Sequence, residues 1–153
     1  MDFLTMTQQM AAAISSLHGL APDGQVPRIA FLKVANRSSD LIDTVALQEK
    51  IRTLLLRHGG GRYRFLDRVA VDAIIAEREA KRAGRVTSTH SGKMGGADYF
   101  LSGSISSITQ SVKQRQSVYM RFSFRLVDAE TSEVVWEDEY EFKKVGGRAL
   151  WDQ

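Results

Sequence analysis

Gly95-Gly96-Ala97-Asp98-Tyr99-Phe100-Leu101-Ser102-Gly103-Ser104-Ile105-Ser106-Ser107-Ile108 is the longest strand-like run in the chain, and the fold turns on how it is read. Tyr99, Leu101 and Ile105 alternate with Ser102, Ser104 and Ser106, so the spacing predicts a central strand with one buried and one wet face. The wet face either meets a partner or is covered by the first helix. Thr109 to Gln116 is polar and predicts a long hairpin tip. In the next strand Met120, Phe122, Phe124 and Leu126 alternate with Arg121, Ser123 and Arg125. After a turn from Asp128 to Glu133, the last strand sets Val134, Trp136, Tyr140 and Phe142 against Val135, Glu137, Glu139 and Glu141. A slip of one residue would turn every side chain over, so matching faces restricts the register. The pairing expected sets Leu126 opposite Trp136, Phe122 opposite Tyr140, Arg125 opposite Glu137 and Arg121 opposite Glu141.

Upstream, Phe3, Met6, Met10, Ala13, Ile14 and Leu17 recur at helical spacing, which predicts a helix over 2–18 with Asp2 as a candidate cap. Gly19 and Ala21-Pro22-Asp23-Gly24 stop it. Arg28 to Val34 is nearly continuously apolar and predicts a strand buried on both faces. Asp43 or Thr44 caps a second helix carrying Leu47, Ile51, Leu54 and Leu55, which His58-Gly59-Gly60-Gly61 ends. Arg62 to Leu66 reads as a short strand, and Asp67 caps a third helix from Val69 to about Arg82. Residues 84–96 read as a loop. Helix two crossing between two strands suggests a βαβ-type unit.

The 153 residues have the length of one domain and suffice for a real core. With 43% hydrophobic and 25% charged residues, the composition is that of an ordinary globular protein and general disorder is not expected. The absence of cysteine removes disulfides, thiolate metal sites and a thiol nucleophile. A net charge of +3 from 21 basic and 18 acidic residues does not argue for nucleic acid. No run reaches the ~18 apolar residues of a membrane span. The N-terminus lacks a basic segment and an unbroken apolar stretch, so it does not read as a signal peptide. The chain therefore acts in the cytoplasm, or its targeting segment lies upstream of Met1.

Chemistry-bearing motifs are sparse. His18, His58 and His90 do not converge, so no metal or other cofactor is expected, and a cation at His58 suits a helix C-terminus. Gly59-Gly60-Gly61 and Ser91-Gly92-Lys93-Met94-Gly95-Gly96 lack the spacing and terminal Lys-Ser/Thr of a phosphate loop. Gly103-Ser104-Ile105-Ser106 lies inside a strand, not at the strand-to-helix turn of a serine nucleophile. Glu137, Asp138, Glu139 and Glu141 read as an ion-paired strand rather than catalytic carboxylates or a calcium site. Arg57, Arg62, Arg64 and Arg68, interleaved with Tyr63 and Phe65, read as solvated arginines on an edge strand rather than a nucleic-acid patch.

Val34-Ala35-Asn36-Arg37-Ser38-Ser39-Asp40-Leu41-Ile42-Asp43-Thr44 is followed in order by Phe65-Leu66-Asp67-Arg68, by the stretch from Gly96 to Ile108, and by Leu126-Val127-Asp128-Ala129-Glu130-Thr131-Ser132-Glu133-Val134-Val135-Trp136 with Tyr140-Glu141-Phe142-Lys143-Lys144. This ordered set resembles the LpoB-like penicillin-binding-protein activators over nearly the whole chain. One departure is Thr131-Ser132, where the family reads Thr-Gly; if that position needs positive φ, serine costs about 1 kcal/mol. CsgG shares related patterns but is the weaker relative, because this chain lacks the segments that would build a membrane barrel. The resemblance implies the periplasmic domain of an outer-membrane lipoprotein. Such a domain is not an enzyme; it binds and activates a class A penicillin-binding protein, and its lipid anchor lies outside this chain.

The expectation is thus a single α+β domain over 1–153, with an N-terminal helix over 2–18 and a core over 26–145. A mixed sheet ends in an antiparallel three-stranded meander, with helices packed on its apolar face. Ser104, Ser106, Arg121, Ser123, Arg125 and Glu139 on the wet face, with Asn36 and Arg37 at the rim, are the expected partner-binding residues. A CsgG-like structural or assembly subunit of a secretion or envelope complex is the alternative; enzyme and nucleic-acid readings follow.

Overall fold

The computed structural model describes residues 1–17, 19–20, 24–67, 76 and 96–143. The expected third helix and the loop after it lie outside these residues, apart from Ala76, which is helical, and Gly96. Two helices, α1 (Phe3–Ser15) and α2 (Thr44–Gly59), accompany strands β1 (Arg28–Asn36), β2 (Arg64–Leu66), β3 (Tyr99–Val112), β4 (Arg115–Asp128) and β5 (Val134–Lys143). The sheet has five strands in the order β2-β1-β3-β4-β5. Both β2 and β3 run parallel to β1, whereas β3, β4 and β5 form the antiparallel meander. The fold class is the expected α+β mixed sheet, and α2 makes the βαβ crossover.

Local chemistry fixes the helix ends. The Asp2 carboxylate accepts the Thr5 amide at 2.8 Å, and Asp43 accepts that of Ala46 at 3.1 Å, each satisfying a donor left over in the first turn. α1 is shorter than 2–18. α2 closes at Gly60 in the left-handed conformation (φ 59), which a side chain would disfavour. Tyr63 is buried beneath this terminus and donates its hydroxyl to the Leu55 carbonyl. A Cβ on Gly59 would lie 2.6 Å from the Tyr63 ring, so glycine is needed there. Burial pushes the Tyr63 phenol up to about 12.

Both helices lie on the apolar side of the sheet. Phe3 of α1 stacks against Phe122 and Phe142 with ring centroids 5.8 and 5.6 Å apart, and those two rings meet edge-on at 4.9 Å. Met6, Met10 and Ile14 of α1, Ile51 and Leu55 of α2, and Leu101, Ile105 and Leu126 of the sheet complete one continuous core. Gly103 also faces inward. A Cβ there would sit 2.9 Å from the Phe124 ring, so this glycine makes room for that ring.

β1 corrects the expectation of burial on both faces. Ile29, Phe31 and Val34 are buried, while Leu32 is 39% exposed and Lys33 is exposed. Phe31 pairs with Leu101 and Val34 with Gly103, so β1 carries one residue more than β3 over this interval. This bulge sends both Phe31 and Val34 to the core and both Leu32 and Lys33 outward. Gln48 of α2 donates to the Phe31 carbonyl at 3.0 Å, supplying a partner at the irregularity.

The hairpin also departs from expectation. Strand pairing continues through the polar segment to Val112↔Arg115, leaving only Lys113 and Gln114 as the turn, at φ 50 and 66.

Candidate functional site

Alternation and register build the outer face of the meander. Ser102 pairs with Arg125 and Arg125 with Glu137; Ser104 pairs with Ser123 and Ser123 with Glu139; Ser106 pairs with Arg121 and Arg121 with Glu141. The expected pairings of Leu126 with Trp136 and Phe122 with Tyr140 are also present. A serine row on β3, an arginine–serine row on β4 and a glutamate row on β5 therefore lie side by side. Because α1 packs against Phe122 and Phe142, it covers the opposite side of the sheet.

The charges on this face neutralise one another locally. Arg125 holds Glu137 Oε1 through Nη2 at 2.8 Å and Nε at 3.3 Å. Arg121 lies between two carboxylates, 3.4 Å from Glu139 and 3.4 Å from Glu141. All are partly or largely exposed, with side-chain exposures from 36% to 55%. Such screened pairs are each worth about 1 kcal/mol or less. They fix rotamers and register more than they hold the fold. The shorter Ser104 and Ser123 side chains pair with each other, between the pairs Ser102–Arg125 and Ser106–Arg121.

The structure thus brings together Ser104, Ser106, Arg121, Ser123, Arg125 and Glu139 on one face. Asn36 is not part of it. It pairs with Ile105, on the inward-facing parity of β3. Its amide donates to the Asp40 carbonyl at 2.8 Å, and its Oδ1 accepts from the Ser38 amide and hydroxyl at 3.0 and 2.6 Å. Asn36 shapes the 37–40 loop, an Asx-type use of the side chain. Arg37 is exposed and its amide donates to the Ile105 carbonyl at 2.8 Å, which keeps it at the rim.

Asp98 is a residue that pattern reading missed. Its carboxylate accepts the Arg28 amide at 2.9 Å, its amide donates to the Arg28 carbonyl at 2.8 Å, and its carbonyl accepts the Ala129 amide at 3.0 Å. It therefore ties the start of β1 to the turn between β4 and β5. In that turn Asp128 accepts the amides of Glu130 and Thr131 at 2.8 and 3.0 Å, and Ser132 adopts φ 64. Serine occupies a left-handed position, the cost anticipated at Thr131-Ser132.

The discarded motifs have structural uses. Gly60 and Gly61 terminate α2 with positive φ. Tyr63 and Phe65 meet edge-on at 5.7 Å, and Tyr63 is buried, so it offers no stacking surface. Among the described residues no group of three or more His, Asp or Glu side chains is placed to hold a metal ion, and no helix is long and apolar enough to cross a membrane. His18, His90 and Arg68 lie outside the described residues.

Comparison with known structures places this architecture. The LpoB C-terminal domain from Salmonella enterica aligns with a TM-score of 0.59 at 14% identity, over 90% of this chain and 96% of that one. The LpoB C-terminal domain from Escherichia coli aligns with a TM-score of 0.55 at 16% identity, over 90% of this chain and 98% of that one. At these identities the likeness concerns the fold. No curated protein sequence matches significantly. The family model for the peptidoglycan-synthase activator LpoB matches residues 3–142. With that match spanning both helices and nearly all of β5, the chain belongs to the peptidoglycan-synthase activator LpoB family.

Proposed function

We propose that this domain is a non-catalytic activator that docks on a class A penicillin-binding protein and raises its glycan-polymerising and crosslinking activity. It works on the periplasmic side of the outer membrane, held there by a lipid anchor outside this chain. Family membership supports the class of function. The observation that carries the docking site is the outer face of the meander, where serine, arginine and glutamate rows have no part in the core.

Activation by binding requires the domain to prefer the active conformation of the synthase over the inactive one. A tenfold shift needs about 1.4 kcal/mol of preference, the worth of one or two well-placed charge-assisted hydrogen bonds. A rigid face suits this role, because the ion pairs and flanking strands already hold Arg121 and Arg125 in place and little side-chain entropy is lost on docking.

The test is direct. Purified domain is captured on an immobilised class A synthase, and glycan polymerisation is followed with and without it. Binding with a rate increase is expected; absence of both rejects the reading.

A further inference from the structure

The β3–β4 hairpin reaches beyond its neighbours. β1 pairs with β3 only as far as Asn36↔Ile105, and β5 pairs with β4 only as far as Lys143↔Tyr119. Past these limits lie the pairs Thr109↔Val118, Gln110↔Ser117, Ser111↔Gln116 and Val112↔Arg115, which among the described residues have no third strand. At ~3.3 Å per residue this two-stranded arm projects about 13 Å. Every residue from 109 to 116 is exposed.

Among the described residues, no third strand braces this arm. A two-stranded ribbon without a packed face is marginal in water, and its turn places Lys113 and Gln114 at positive φ. Each costs about 1 kcal/mol relative to glycine in that region. Joining β3 to β4 near Ile108 and Tyr119 would close the meander without either cost.

Its chemistry is one-sided. From Thr109 to Val118 the arm carries Lys113 and Arg115 and no acidic residue, with glutamine, serine and threonine around them. Val112, Lys113, Arg115 and Ser117 border an open concavity at the tip, and Val112 is 66% exposed. We propose that this arm is a second docking element, taking an acidic protein surface in which carboxylates meet Lys113 and Arg115 and an apolar side chain meets Val112. Two cations are too few for a nucleic-acid backbone or an anionic membrane, where several phosphates or headgroups must be neutralised together. They suit one or two carboxylates at a protein surface.

The inference rests on the synthase reading for its partner: the acidic surface belongs to the class A synthase. Affinity for the purified synthase is measured at low and at physiological salt for the wild type, for Lys113→Glu/Arg115→Glu, and for a chain in which Asn-Gly replaces residues 109–118. Both variants are expected to bind at least tenfold more weakly at low salt, with a flatter salt dependence and thermal midpoints near that of the wild type. Wild-type binding that both variants retain in full overturns the arm while leaving the functional reading standing. No wild-type binding overturns both. Wild-type binding to phosphatidylglycerol vesicles that both variants lose overturns the choice of a protein surface.

Discussion

The two faces of the meander share strands and backbone but divide the work of the molecule. On the inner face, Leu101, Ile105, Met120, Phe122, Phe124, Leu126, Tyr140 and Phe142 are buried against α1 and one another. On the outer face, serines, arginines and glutamates alternate with them and form screened pairs. Stability should therefore respond to one face, and partner binding to the other. The period of two along each strand makes this separation possible, because neighbouring residues reach different environments.

The largest expected effect breaks the inner face. Phe122→Ala removes the ring that meets both Phe3 and Phe142, and should cost about 3–5 kcal/mol in urea unfolding. The corresponding outer change, Arg121→Ala, should cost about 1 kcal/mol or less.

Alkaline titration probes the same buried layer at the far end of the sheet. The phenol of Tyr63 is raised to about 12 from an unfolded value of 10.0. A group with its folded pKa raised contributes its stability fully below pH 10, and that contribution is lost as pH rises through 12. The loss from Tyr63 is about 2.7 kcal/mol. Tyr140 is also raised, by burial and then by the charge of Asp138, and adds to the same limb. Tyr63→Phe should flatten its share of the fall in unfolding free energy above pH 10. At neutral pH it should lose about 1 kcal/mol with the hydrogen bond to Leu55.

Adjacent residues sharpen the contrast further. Gly103→Val forces the Phe124 ring to move from a Cβ that would stand 2.9 Å away, and should cost about 1–3 kcal/mol. Ser104→Val, one residue along and facing out, should stay within about 0.5 kcal/mol of the wild type. The smallest effect is a gain: Ser132→Gly relieves the left-handed serine at φ 64 and should stabilise by about 1 kcal/mol in thermal unfolding.

The meander was legible because its alternation is unambiguous. Four inward residues on β4 and Trp136, Tyr140 and Phe142 on β5 allow only alternate registers, and the charge ladder selects among them; Val134, expected on the same face, pairs with Val127 past a register shift and is 50% exposed. β1 was less legible, because a bulge shifts the side-chain parity between Phe31 and Val34. An apolar run that includes such an extra residue resembles a strand buried on both sides. The arm reads in the sequence only as a long polar hairpin tip, because its turn, Lys113-Gln114, contains none of the glycine or asparagine that marks positive φ and would locate the turn. Asn36, expected at the docking rim, also uses its side chain on Ser38 and Asp40 and so shapes the loop. Asp98 left one signal, an aspartate just ahead of a strand and following Gly96 and Ala97, a position where its carboxylate can accept backbone amides. The grouping of Ser104, Ser106, Arg121, Ser123, Arg125 and Glu139 was legible from parity alone; parity does not say which of them a partner touches.

On this reading the outer face binds the synthase while contributing little to the fold. Ser104 and Ser123 are paired across β3 and β4 at the middle of the outer face, so Ser104→Tyr/Ser123→Tyr adds bulk there without entering the core. A cross-strand aromatic pair adds about 0.2–1 kcal/mol. The decisive measurement is stimulation of glycan polymerisation by this double variant, with its thermal midpoint recorded in the same buffer. An unchanged or higher midpoint with stimulation reduced at least tenfold is expected; full stimulation by a folded double variant would move the docking surface off this face.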